Sequence, residues 1–153
     1  YSLTGCGYEP IHSKKDRSNI LISDHKLVGN KILDRKIFSR LNLKKNKTDV
    51  GRYELILNSK KILDIVSKDK SGNTSIYRTT VGVDVSLREN NRIFKERNFS
   101  SSFTYNNLDN KFDLLRYQKD VELNLINKIS DEIVIFLNLL QWSLSLLNYP
   151  KLT

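Results

Sequence analysis

From Tyr77 to Arg88 the chain alternates. The odd positions Tyr77, Thr79, Val81, Val83, Val85 and Leu87 suit a buried face, and Arg78, Thr80, Asp84, Ser86 and Arg88 between them are polar. A period of two over this length predicts a strand with one wet face. The same pattern at Arg52–Asn58, through Tyr53, Leu55 and Leu57, predicts a second strand that continues through Lys61–Val66. Between them Lys68–Asn73 is polar and contains Ser71-Gly72-Asn73, a turn composition. A third strand follows Glu89-Asn90-Asn91 and runs through Ile93 to Phe99, Phe103 and Tyr105. Short turns between successive strands predict an antiparallel meander.

Elsewhere the period changes. His25 to Leu41 carries Leu27, Val28, Ile32, Leu33, Ile37 and Leu41 at helical spacing, with Asp24 as the expected N-cap and Lys31, Arg35 and Arg40 on the polar side. From about Phe112 a longer helix is expected, its apolar stripe being Val121, Leu125, Ile129, Ile133, Phe136, Leu137 and Leu140. A short strand near Asn19–Ser23 precedes the first helix. The order strand-helix-strand-strand-strand-helix predicts an α+β two-layer sandwich. Its four-stranded, mostly antiparallel sheet carries both helices on one face. Ile133–Leu147 is almost wholly apolar, but it is shorter than the ~20 residues of a membrane-spanning helix and is interrupted by Asn138, Gln141 and two serines. It reads as a core helix, anchored by Ile133, Phe136 and Leu137, that runs into an exposed end with Trp142, Leu146 and Leu147. Pro150 stops the helix.

The 153 residues form a single domain's length of chain, with an ordinary mixture of 39% hydrophobic and 28% charged residues. The balance of 26 Lys+Arg against 17 Asp+Glu gives a net charge of +9. That charge suits a polyanionic partner: nucleic acid, anionic lipid headgroups or a phosphorylated glycolipid.

The only cysteine, Cys6, sits in Leu3-Thr4-Gly5-Cys6-Gly7. A lone thiol makes no internal disulfide, and its small flanking residues supply neither the base nor the electropositive pocket of a nucleophile. An aliphatic residue three before the cysteine, followed by two small ones, is a lipobox. There a signal peptide is cut just before a cysteine that carries diacylglycerol. Residues 1–5 are then the tail of a signal peptide, 6–17 a lipidated tether, 18–149 the folded domain and 150–153 a C-terminal tail. Diacylglycerol and an N-acyl chain on Cys6 would anchor the protein without a spanning helix. No other cofactor is expected. Gly7 in place of aspartate directs such lipoproteins onward to the outer membrane.

Taken in order, Cys6–His12 ("CGYEPIH"), Tyr53–Asn58 ("YELILN"), Tyr77–Leu87 ("YRTTVGVDVSL"), Ser102–Asn107 ("SFTYNN") and Arg116–Leu137 resemble the lipopolysaccharide-assembly lipoprotein family LptE, especially its α-proteobacterial members. The resemblance covers essentially the whole chain, and the family's fold has the same element order. It implies a non-enzymatic protein at the periplasmic face of the outer membrane. Such a protein plugs the LptD β-barrel, supports its assembly and binds lipopolysaccharide. It also implies a basic position just before the turn between the second and third strands, here Lys70 with Lys68 nearby. A second basic position before the body of the last helix falls nearest Arg116, with Lys119 next to it. Lysine and arginine suit lipid A phosphates.

Other chemistries lack their residues. His12 and His25 do not have metal-ligand spacing, and the chain contains no nucleophile elbow, P-loop or dinucleotide-binding turn. Asp131 and Glu132 are adjacent on a helix and point apart. A nucleic-acid binder is the rival that the charge suggests. However, Tyr77, Phe99, Phe103 and Tyr105 fall in phase with the core positions, which places them inside the sandwich rather than on a base-stacking platform.

Overall fold

The structure, a computed structural model, describes residues 22–43 and 53–147. Its elements run β1 (Ile22–Leu27), α1 (Lys31–Leu41), β2 (Tyr53–Lys68), β3 (Thr74–Glu89), β4 (Arg92–Asn106) and α2 (Lys111–Leu147). One sheet holds the strands in sequence order. β2, β3 and β4 form an antiparallel meander, and β1 lies parallel to β2. This is the α+β sandwich that the periodicity predicts.

Local chemistry sets the two hairpins. Asn90 and Asn91 both take left-handed φ values, 50° and 62°, the pair that a two-residue turn between twisted strands requires. At the β2–β3 turn the Asp69 carboxylate accepts from the backbone N–H groups of Ser71 (2.8 Å) and Asn73 (2.9 Å). Gly72 supplies the positive φ of 85° there.

The sheet buries one face. Leu55, Leu57, Val81, Val83, Val85 and Leu87 pack beneath Leu33, Ile37 and Leu41 of α1 and Ile126, Ile129, Ile133 and Leu137 of α2. Each such side chain contributes roughly 1.5–3 kcal/mol by leaving water. Phe99 and Phe136 meet edge-on across the layers, with ring centroids 5.6 Å apart. By length and composition α2 could cross a membrane, yet its stripe from Val121 to Leu137 is the roof of this core. The opposite face is polar: Asn98 donates to Asp84 (2.6 Å) and Arg78 to Thr104 (3.2 Å).

The first helix starts later than its spacing suggests. His25 and Leu27 belong to β1, and α1 begins at Lys31 with Asn30, not Asp24, as N-cap. The Asn30 side chain accepts from the N–H groups of Ile32 and Leu33. The cause lies in Gly29, which presses against the backbone of β2. A Cβ there would fall 2.2 Å from the Ser59 nitrogen. Asp34, fully buried, fastens the corner by accepting from the N–H groups of Gly29 (2.8 Å) and Ser59 (3.0 Å).

Candidate functional site

β2 and β3 are 16 residues each, whereas β1 is 6 and leaves β2 opposite Leu57. The far half of the β2–β3 hairpin therefore extends beyond its cover. Leu63 and Ile65 continue the apolar row of Tyr53, Leu55 and Leu57, but are 50% and 54% exposed. In register with them stand Thr79 with Phe103, and Tyr77 with Tyr105. Phe103 is 49% exposed, so it is not inside the sandwich as its phase suggests, whereas Phe99 and Tyr105 are buried. The helix position decides this. Tyr117 of α2 meets Tyr105 edge-on at 5.5 Å, which leaves Phe103 at the rim.

The lysines of the turn lie at this same end. Lys68 closes β2, Lys70 sits within the Asp69–Asn73 turn, and both are exposed. Asn107, between β4 and α2, donates to the carbonyls of Ser75 (2.8 Å) and Thr74 (2.9 Å), which ties the start of α2 to the base of the hairpin tip. Arg116 and Lys119 are exposed on the first turns of α2, ~7 and ~12 Å along its axis from Lys111. Exposed Phe112 and Leu115 accompany them. One end of the molecule thus joins cations to uncovered apolar side chains.

Two adjoining clefts open between β4 and α2, of about 290 and 390 Å³, and share Phe103 and Tyr117. The smaller is also lined by Val121, Leu125 and Lys128. Neither is lined by Lys68, Lys70, Arg116 or Lys119, so the predicted cations lie outside these two clefts. The sequence pattern places Phe103 in the core and does not single out Tyr117 or Lys128. Only Tyr117 leaves a signal, the interruption of the α2 stripe before Val121.

Deeper in, Glu122 of α2 is gripped by Lys61 of β2 (2.6 Å) and Lys36 of α1 (2.9 Å). Burial alone would raise its pKa, but the hydrogen bonds and charges of the two lysines outweigh burial and hold it below the ordinary value. Among the described residues no cluster of His, Cys, Asp and Glu could hold a metal. Cys6, the tether, Tyr149 and the C-terminal tail lie outside the described residues.

No protein-family model matches the sequence, and no curated protein is significantly similar to it. Solved structures do match. The rare lipoprotein B of Shewanella oneidensis superposes with a TM-score of 0.61 at 14% identity, over 80% of this chain and 99% of that one. A minor lipoprotein of Acinetobacter baumannii gives 0.63 at 10% identity, over 80% and 93%. The chain shares the fold of these lipoproteins. A lipoprotein B of Nitrosomonas europaea, at 12% identity and a TM-score of 0.55 over 79% and 86%, shares it. The element order read from periodicity is therefore a recurrent one among bacterial lipoproteins.

Proposed function

We propose that the chain is a non-enzymatic lipoprotein, anchored through Cys6 at the periplasmic face of the outer membrane. In this reading it plugs an LptD-like β-barrel, supports the assembly of that barrel and binds lipopolysaccharide. The observation that carries the reading is the far end of the sandwich. There Lys68 and Lys70, with Arg116 and Lys119 on α2, border the half-exposed Leu63, Ile65 and Phe103. Cations beside open apolar surface match an amphiphile with phosphorylated headgroups: the charges meet phosphate and the side chains meet acyl chains. Nucleic acid would meet no continuous platform, since the exposed strand aromatics, Phe94 and Phe103, stand near opposite ends of β4. The polar sheet face suits the polar lumen of a barrel. The lipoprotein neighbours and the lipobox support the anchor.

The test is affinity isolation of the full-length protein from native outer membranes in mild detergent, followed by identification of what copurifies. A large β-barrel is expected, together with lipopolysaccharide. Recovery of lipopolysaccharide without any barrel would point to a free-standing periplasmic lipoprotein that binds a polyanionic ligand. Recovery of neither would remove the proposal.

A further inference from the structure

β1 leaves the outer edge of β2 early. Among the described residues its pairing ends at Leu57, and no other strand lies on that edge. The direction of the backbone groups there follows from their partners. Leu57 and Ser59 accept from Val28 (2.8 Å) and Asn30 (2.9 Å), and the N–H of Ser59 points to Asp34. Odd-numbered groups of β2 therefore face outward, and alternation carries that orientation to Lys61, Leu63 and Ile65. The N–H and C=O groups of these residues find no backbone partner among the described residues. The segment between Lys61 and Ser67 is apolar apart from Asp64, and Ile62, Leu63, Ile65 and Val66 are all exposed. A bare apolar strand edge is a template for another strand.

We infer that the outer edge of β2, from Lys61 to Ile65, docks an extended strand of another polypeptide that is apolar at its centre and acidic at its ends. Charge selects the occupant. Lys60 lies before this segment and Lys68 and Lys70 after it, and none of the three makes an ion pair with another described residue. Asp69 is committed to its own turn. A second copy paired about Asp64 is disfavoured. Antiparallel pairing centred on Asp64 would set Lys60 opposite Lys68 of the other copy at both ends, and like charges directly opposite destabilise a sheet. Carboxylates at those positions instead complete the edge, adding main-chain hydrogen bonds to charge pairing. The inference stands on strand geometry and does not need the glycolipid reading.

The experiment uses the full chain and two capped nine-residue peptides. Both have Val-Thr-Val-Thr-Val at the centre; one is flanked by paired glutamates and the other by paired lysines. Binding of the glutamate peptide should slow amide hydrogen exchange at Lys61, Leu63 and Ile65 by about tenfold or more. At low salt the lysine peptide should bind about tenfold more weakly, and the gap should narrow as salt rises. Leu63→Pro removes one outward N–H and none that faces β3, a substitution that edge strands tolerate. It should abolish binding with the circular dichroism spectrum unchanged. Lys60→Glu combined with Lys68→Glu should reverse the peptide preference, and this decides the matter alone if the proline variant fails to fold. Equal binding of the two peptides, or protection elsewhere, would overturn the inference. So would strong protection of these amides already present in the free protein. A dimer dispersed by Leu63→Pro would assign the edge to a second copy instead.

Discussion

Asp34 is a carboxylate without exposed surface whose two oxygens are each taken by a backbone N–H group, those of Gly29 and Ser59. Removing it strands both donors at a buried corner, at a cost of about 1–3 kcal/mol. Asp34→Ala should lower the denaturant midpoint accordingly, and an unchanged midpoint would show that the corner holds without it. Gly29→Ala should be at least as damaging, because its Cβ would overlap the Ser59 backbone. Lys70 presents the opposite case. It is exposed in a turn built by Asp69 and Gly72, so Lys70→Asp should leave the fold intact. If Lys70 meets lipid A phosphate, reversal should weaken lipopolysaccharide binding about tenfold, the scale of a lost charge-assisted hydrogen bond. The defect should shrink at high salt. Equal binding by a folded variant at low salt would take the turn out of the site and make Arg116 and Lys119 the next residues to examine.

Between elements, the Lys36–Glu122–Lys61 cluster is the point where α1, β2 and α2 share one charge. The folded pKa of Glu122 lies below the ordinary 4.5. Its contribution to stability is therefore complete above that value and is lost as pH falls through the folded pKa. Glu122→Gln should cost about 1 kcal/mol at neutral pH, since the lysines are half in water, and nothing once acid has protonated the wild type. Thermal melts across pH would display this convergence, and a pH-independent difference would assign the loss to packing. The meander and α2 were legible because each buries one face, and a buried face imposes its period on the sequence. The β1–α1 boundary was not. Leu27 and Val28 satisfy helical spacing with Ile32, and the break between them depends on Gly29 touching Ser59, which lies thirty positions away in the chain. The β2–β3 turn was legible from Ser71-Gly72-Asn73, whereas its lysines were singled out only by the family resemblance. The exposure of Phe103 and the role of Tyr117 were not legible, because both depend on where α2 crosses the sheet.

For the whole molecule, the proposed attachment should be separable from folding. Cys6 precedes β1 in the chain, and the core of the described residues is built from β1 to α2. Cys6→Ala in the full-length precursor should therefore release the protein from membranes while its thermal unfolding stays unchanged, and association with a barrel should survive. Finding Cys6 unmodified by mass spectrometry in membrane-purified wild type would refute the lipid anchor. The far end of α2 carries a last consequence. Trp142 is the chain's only tryptophan, and it stands 69% exposed beyond the buried stripe. Its indole emission is set by water rather than by the core. The fluorescence of the isolated protein is thus nearly blind to packing around the sheet, and a shift to the blue would report that something had covered the end of this helix.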